Sequence, residues 1–175
     1  PIVRIASGIE PEWLLDLFPE RVVEKREAQW NRAAERVDGV SALYFGAIAI
    51  TESRGAPDPA EAAAMLAAKA LEAGIARFAD VEAVNAYRAR VAFAGRYGAV
   101  TPLDEGALRA AVQELAQGLR SFDELHDACA RDGLVRALER QLPPGAARLV
   151  EELAPARIRL PSGRNVLVHY PEGEQ

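Results

Sequence analysis

This 175-residue chain has one cysteine, one methionine, two histidines and two lysines, Lys25 and Lys69. Each scarcity excludes something. A single Cys129 cannot close an internal disulfide, which fits a reducing compartment such as the cytoplasm. With two histidines and one cysteine, the four-ligand zinc sites built from those residues are out of reach. Neither lysine follows a glycine in a phosphate-cradling GxxxxGK[ST] loop. A DExH tetrad and an arginine-rich glycine motif that could supply an arginine finger are missing as well. Nothing in the residue inventory therefore equips this segment to hydrolyse ATP. No stretch of about 18 apolar residues occurs, so no membrane-spanning helix is expected. The opening PIVRI has no basic n-region or apolar h-region and so does not read as a signal peptide; it reads as the middle of a strand in a larger protein.

What is present suffices for a packed core, with 50% hydrophobic residues. Charge is unevenly spread. Residues 1–54 carry seven basic against nine acidic side chains, a net of −2. Residues 55–153 carry eleven against fifteen, net −4, and residues 154–175 three against two, net +1. A phosphate-binding surface must be locally basic, so any RNA contact is expected at a terminal β segment rather than on the acidic middle.

The pattern predicts an α+β fold: a small β-rich part with one short helix over 1–54, a subdomain of five or six helices over 55–154, and a closing β-hairpin over 155–175. In EPEWLLDLFPE, residues 10–20, Pro11 suits the first helical position and Glu12 complements the dipole. Trp13, Leu14, Leu17 and Phe18 form an apolar stripe, and Pro19 ends the helix. Residues 21–31 alternate as an exposed strand, with a charged helix as the alternative. A second strand follows over 37–45, Gly46 marks a bend or bulge before 47–51, and ESRGAPDP, 52–59, reads as a loop. Asp58-Pro59, Asp80 and Thr101-Pro102 are helix starts, and Ser121 with Glu124 makes a capping box. Leu134, Leu138 and Leu142 mark a further helix, and a last short one spans 145–153. Ile158 and Leu160 then alternate with Arg157 and Arg159, PSG turns, and Val166, Val168 and Tyr170 return. A lone hairpin is marginal in water, so it is expected to pair with or pack beside the N-terminal strands.

Two segments, EPEWLLDLFPE with the flanking VRIASGI and RV, and LAPARIRLPSGRNVLVHY at 153–170, resemble the HrpB family of bacterial DExH-box ATP-dependent RNA helicases. Their order and spacing agree with a region C-terminal to the motor. The resemblance implies a non-catalytic accessory region assisting RNA engagement, with ATP and Mg²⁺ bound by the parent's N-terminal motor in cis and no cofactor here. It also implies that residues 1–9 are the tail of a preceding oligonucleotide-binding-fold module. The family's sequence continues into an apolar segment beyond the hairpin, where this chain reads PEGEQ, so exposed apolar residues are expected there.

Arg157, Arg159, Arg164 and His169 are the candidate RNA contacts; their alternative is a solvated hairpin. Trp13, Leu17 and Phe18 are candidate core or docking anchors, and a docking or autoregulatory module packed on the motor is the alternative function. His126 and Cys129 lie three apart on one helix, as a nucleophile pair or, more simply, as a cysteine on the apolar stripe with a histidine at its border. The acidic pairs Asp104/Glu105 and Asp123/Glu124 read as first-turn carboxylates complementing helix dipoles.

Overall fold

The computed structural model describes residues 8–98 and 100–171, in an α+β arrangement. Residues 1–7, most of the expected tail of a preceding module, and 172–175 lie outside the described residues.

Helix α1 spans Pro11–Leu17, and a 3-10 turn, Pro19–Arg21, leads into a three-stranded antiparallel meander in the order β1-β2-β3. Strand β1 is Val22–Asn31, β2 is Arg36–Phe45 and β3 is Ile48–Gly55. The extended reading of 21–31 holds, because its ten residues pair in unbroken register with β2, Val22 against Phe45 through Asn31 against Arg36. Gly46 is neither bend nor bulge. It takes φ +62° at the first position of a two-residue loop between the paired Phe45 and Ile48, as a type II′ turn requires. The irregularity lies instead between Leu43 and Tyr44.

The expected 52–59 loop is half strand. Glu52 pairs with Ala42 and Gly55 with Gly39, so β3 continues to Gly55. The misleading glycine, Gly55, ends the strand opposite Gly39, on which a Cβ would meet the Ala56 carbonyl oxygen at 2.5 Å as the chain crosses over the sheet.

Helix α2, Pro59–Ala73, starts where Asp58 accepts from the Ala60 and Glu61 amides at 2.9 and 3.0 Å. Its buried face, Ala62, Ala63, Leu66, Ala67 and Ala70, is mostly alanine, so neighbouring backbones come close. It packs on β1, β2 and helix α4. Helix α3, Val81–Gly95, is capped by Asp80, as expected. Helix α4, Glu105–Leu115, begins later than Thr101-Pro102 suggested. Asp104 is the residue whose carboxylate accepts from Ala107 N, at 2.8 Å, while Leu103 is spent on the core before the helix starts. Leu119 lies beyond this helix, past Gly118 with φ +76°. Helix α5, Phe122–Cys129, carries the full Ser121–Glu124 capping box. Helices α6, Gly133–Arg140, and α7, Ala146–Leu153, complete six helices after the sheet among the described residues.

The core unites these helices: Leu66, Val84, Val91, Val112, Leu125, Leu134, Leu138 and Val150 are fully buried. The sheet joins it at one end only. Val37 is fully buried and donates its amide to the Arg120 carbonyl at 2.7 Å, and the Phe122 amide bonds Glu35 O at 3.0 Å. The opposite end, with α1, extends from that anchorage and contributes no residue of α1 to the core.

Strands β4, Arg157–Arg159, and β5, Asn165–Leu167, form a two-stranded sheet of their own. The expected pairing with the N-terminal strands is not made among the described residues. The hairpin is carried instead by α3, whose Phe93 ring meets Tyr170 with centroids 5.0 Å apart. Its apolar residues Ile158, Leu160, Val166 and Leu167 are exposed.

Candidate nucleic-acid interface

The hairpin turn follows from its sequence. Gly163 donates to the Leu160 carbonyl at 2.8 Å, and the Leu160 amide to the Arg164 carbonyl at 2.9 Å, closing a three-residue loop over Pro161-Ser162-Gly163. Proline suits the loop's first position and Gly163, at φ +82°, supplies the left-handed residue such loops need.

This loop sets the faces. Arg157 pairs with Leu167 and Arg159 with Asn165, so the two arginines share one face, as expected. Ile158 pairs with Val166, and alternation from that pair through Leu160 and Arg164 puts Arg164 on the opposite, apolar face. The candidate set is thus split, and the hairpin presents cations on both sides. Arg157, Arg159, Arg164 and His169 are all exposed. None of the three arginines has an ion-pair partner among the described residues.

The base of the hairpin is fixed. Val168 N donates to Ala156 O at 3.0 Å, and the Tyr170 hydroxyl to Pro155 O at 2.9 Å. Arg90, on α3, donates from Nε to Ala154 O at 2.7 Å and pairs with Glu151 at 2.5 Å. Its side chain is nearly buried, so these bonds hold α3 against the end of α7, from which the hairpin emerges.

Reasoning from sequence missed two residues here. Tyr97 is 69% exposed and its ring lies 5.2 Å from Phe93, which in turn touches Tyr170. Three aromatic rings therefore run from the end of α3 to the base of an arginine-bearing hairpin, with exposed Arg96 beside Tyr97. The available signal was Phe93 and Tyr97 four apart and off the Val84, Tyr87, Val91 stripe. Aromatic faces accept stacked bases, and unpaired guanidinium groups accept phosphates.

The other candidates separate clearly. Trp13, Leu17 and Phe18 are 54%, 69% and 40% exposed, so they are not core anchors of this chain. Trp13 and Leu17 lie on α1, which has no buried residue, and Phe18 caps its end. Cys129 is buried, and desolvation pushes its thiol up to about 11, away from the thiolate a nucleophile requires. His126 is exposed, 3.9 Å from Asp127. Both border a 380 Å³ cavity with Phe78, Asp80 and Arg131. Asp104 acts as a helix cap, and Glu105 bonds Arg88 at 3.0 Å. No group of three His, Cys, Asp or Glu residues placed to hold a metal occurs among the described residues. No described helix is long and apolar enough to cross a membrane.

The fold has relatives among solved structures. The crystal structure of the E. coli DExH-box NTPase HrpB matches 95% of this chain and 21% of its own, with a TM-score of 0.56 and 17% identity. The crystal structure of the Escherichia coli DEAH/RHA helicase HrpB matches 88% of this chain and 20% of its own, with a TM-score of 0.55 and 20% identity. The chain thus spans about a fifth of the length of those proteins. What is shared at this identity is the fold. No family model matches the sequence, and no curated protein matches it.

Proposed function

We propose that this chain is a non-catalytic accessory region of an HrpB-type ATP-dependent RNA helicase, C-terminal to the motor in the same polypeptide, and that it helps engage RNA. The likeness of fold to a part of two helicase structures supports the reading, as do the two terminal sequence segments. In this account ATP and Mg²⁺ belong to the motor, and the protein works in the cytoplasm.

The observation that carries the reading is the aromatic run Tyr97–Phe93–Tyr170 at the foot of a hairpin bearing three arginines without carboxylate partners among the described residues. Unpaired bases stack on an exposed ring, here Tyr97, while arginines hold the strand's phosphates, a division of labour suited to single-stranded RNA. The acidic helices around the hairpin oppose phosphate, which confines binding to this corner.

Amide chemical-shift mapping with an unstructured oligoribonucleotide tests the assignment. The largest shifts are expected at Arg96, Tyr97, 157–160 and 164–170. Shifts confined to the N-terminal sheet, or no shifts at low salt, would overturn it.

A further inference from the structure

The outer end of the sheet carries an apolar surface that the described chain leaves open. Trp13 and Leu17 lie four apart on one side of α1, and Phe18 follows at its end. The Phe18 ring lies 5.9 Å from Phe45, and Phe45 pairs with Ile48, itself 69% exposed. Large apolar side chains are thus exposed both on the helix and at the β2–β3 turn, with Phe18 and Phe45 in contact between them. A cluster of exposed large apolar side chains marks an interaction site.

Its charges indicate what covers it. Glu10, Glu12, Asp16 and Glu20 are all exposed along and beside α1, and none is in an ion pair among the described residues. The neighbouring cation, Arg21, is laid over the Phe45 ring, 4.5 Å from its centroid. RNA and anionic lipid would meet four carboxylates that are unpaired among the described residues. A second copy, docked about a two-fold axis, would bring the same four carboxylates together.

We infer that this surface docks on a folded protein face that combines aliphatic side chains with lysine and arginine. Trp13 is the anchor, since a tryptophan in the middle of such a patch contributes most when desolvated. The inference uses none of the hairpin residues and stands or falls apart from RNA binding.

Photo-cross-linking tests it. Benzoylphenylalanine replaces Trp13 in the protein as expressed in its own cells, and the cross-linked peptides are sequenced by mass spectrometry. The expected result is one dominant protein adduct, on a face carrying aliphatic residues and Lys or Arg, unchanged by ribonuclease. Leu17→Asp with Ile48→Asp should lower its yield at least about tenfold, and the same probe at Gln113, on exposed helix surface, should give no such adduct. Because these side chains are exposed, the double variant should keep its unfolding midpoint; if it does not fold, Leu17→Asp alone serves. An adduct with a second copy, with RNA or with lipid overturns the inference. So does the lack of any dominant adduct, or one indifferent to the Asp variants.

Discussion

The Trp30 indole meets the Phe122 ring edge-on, with centroids 5.4 Å apart and planes at 90°. This contact joins the base of β1 to the first residue of α5, where the Arg36–Ser121 bridge also ties sheet to helices. Phe122 is buried and Trp30 only half-buried. Trp30→Ala should therefore cost about 2–3 kcal/mol, below the 3–5 typical of full burial. Urea unfolding checks this. An unchanged midpoint would mean the sheet is not held through this ring.

A second prediction concerns acid. Asp38 accepts from Asn31 Nδ2 at 2.9 Å and from Arg36 Nε at 2.7 Å. The Asn31 hydrogen bond and then the Arg36 bond and charge hold its carboxyl below the ordinary value, against the effect of burial. The folded-state pKa thus lies under the unfolded one. Its stabilisation is full above the unfolded value, near pH 4, and is lost as pH falls through the folded value. Asp38→Asn should cost roughly 1–2 kcal/mol at pH 7 and less at an acid pH under about 4. Equal losses at both pH values would contradict this.

A third concerns nucleotide. Without a phosphate loop or metal-binding carboxylates in its sequence, the purified chain should show neither ATP binding by calorimetry nor Mg²⁺-dependent phosphate release. Turnover surviving extensive purification would refute the accessory reading.

Helix starts were legible because their cause is local: Asp58, Asp80 and Ser121 each bond an amide two or three residues ahead. Strand β3 was less so. It is an exposed edge strand whose glycine and serine content resembles a loop, and its missed end, 52–55, pairs with β2 residues ten to sixteen positions back. The stripe on α1 was readable, but whether Trp13 faces a core is decided by how far the sheet projects. At the candidate site the arginines could be picked out by charge. The PSG turn was read as well, but the side of the hairpin on which Arg164 falls follows only from the register, in which Ile158 pairs with Val166. Phe93 and Tyr97 gain meaning only once Tyr170 is folded against them.

On the proposed reading the hairpin arginines hold RNA phosphates. Affinity for an unstructured oligoribonucleotide, measured at 50 and 200 mM salt for the parent and for Arg157→Ala/Arg159→Ala/Arg164→Ala, tests it most directly. Three phosphate contacts give a log–log salt slope of about −2 for a single strand, a loss of roughly fifteenfold across that range. The triple variant should bind weakly and with a slope near zero, by a similar factor for every sequence tried, since phosphate contacts position rather than specify. A variant that binds as tightly as the parent and with the same slope would contradict the claim, and so would a parent that does not bind at 50 mM.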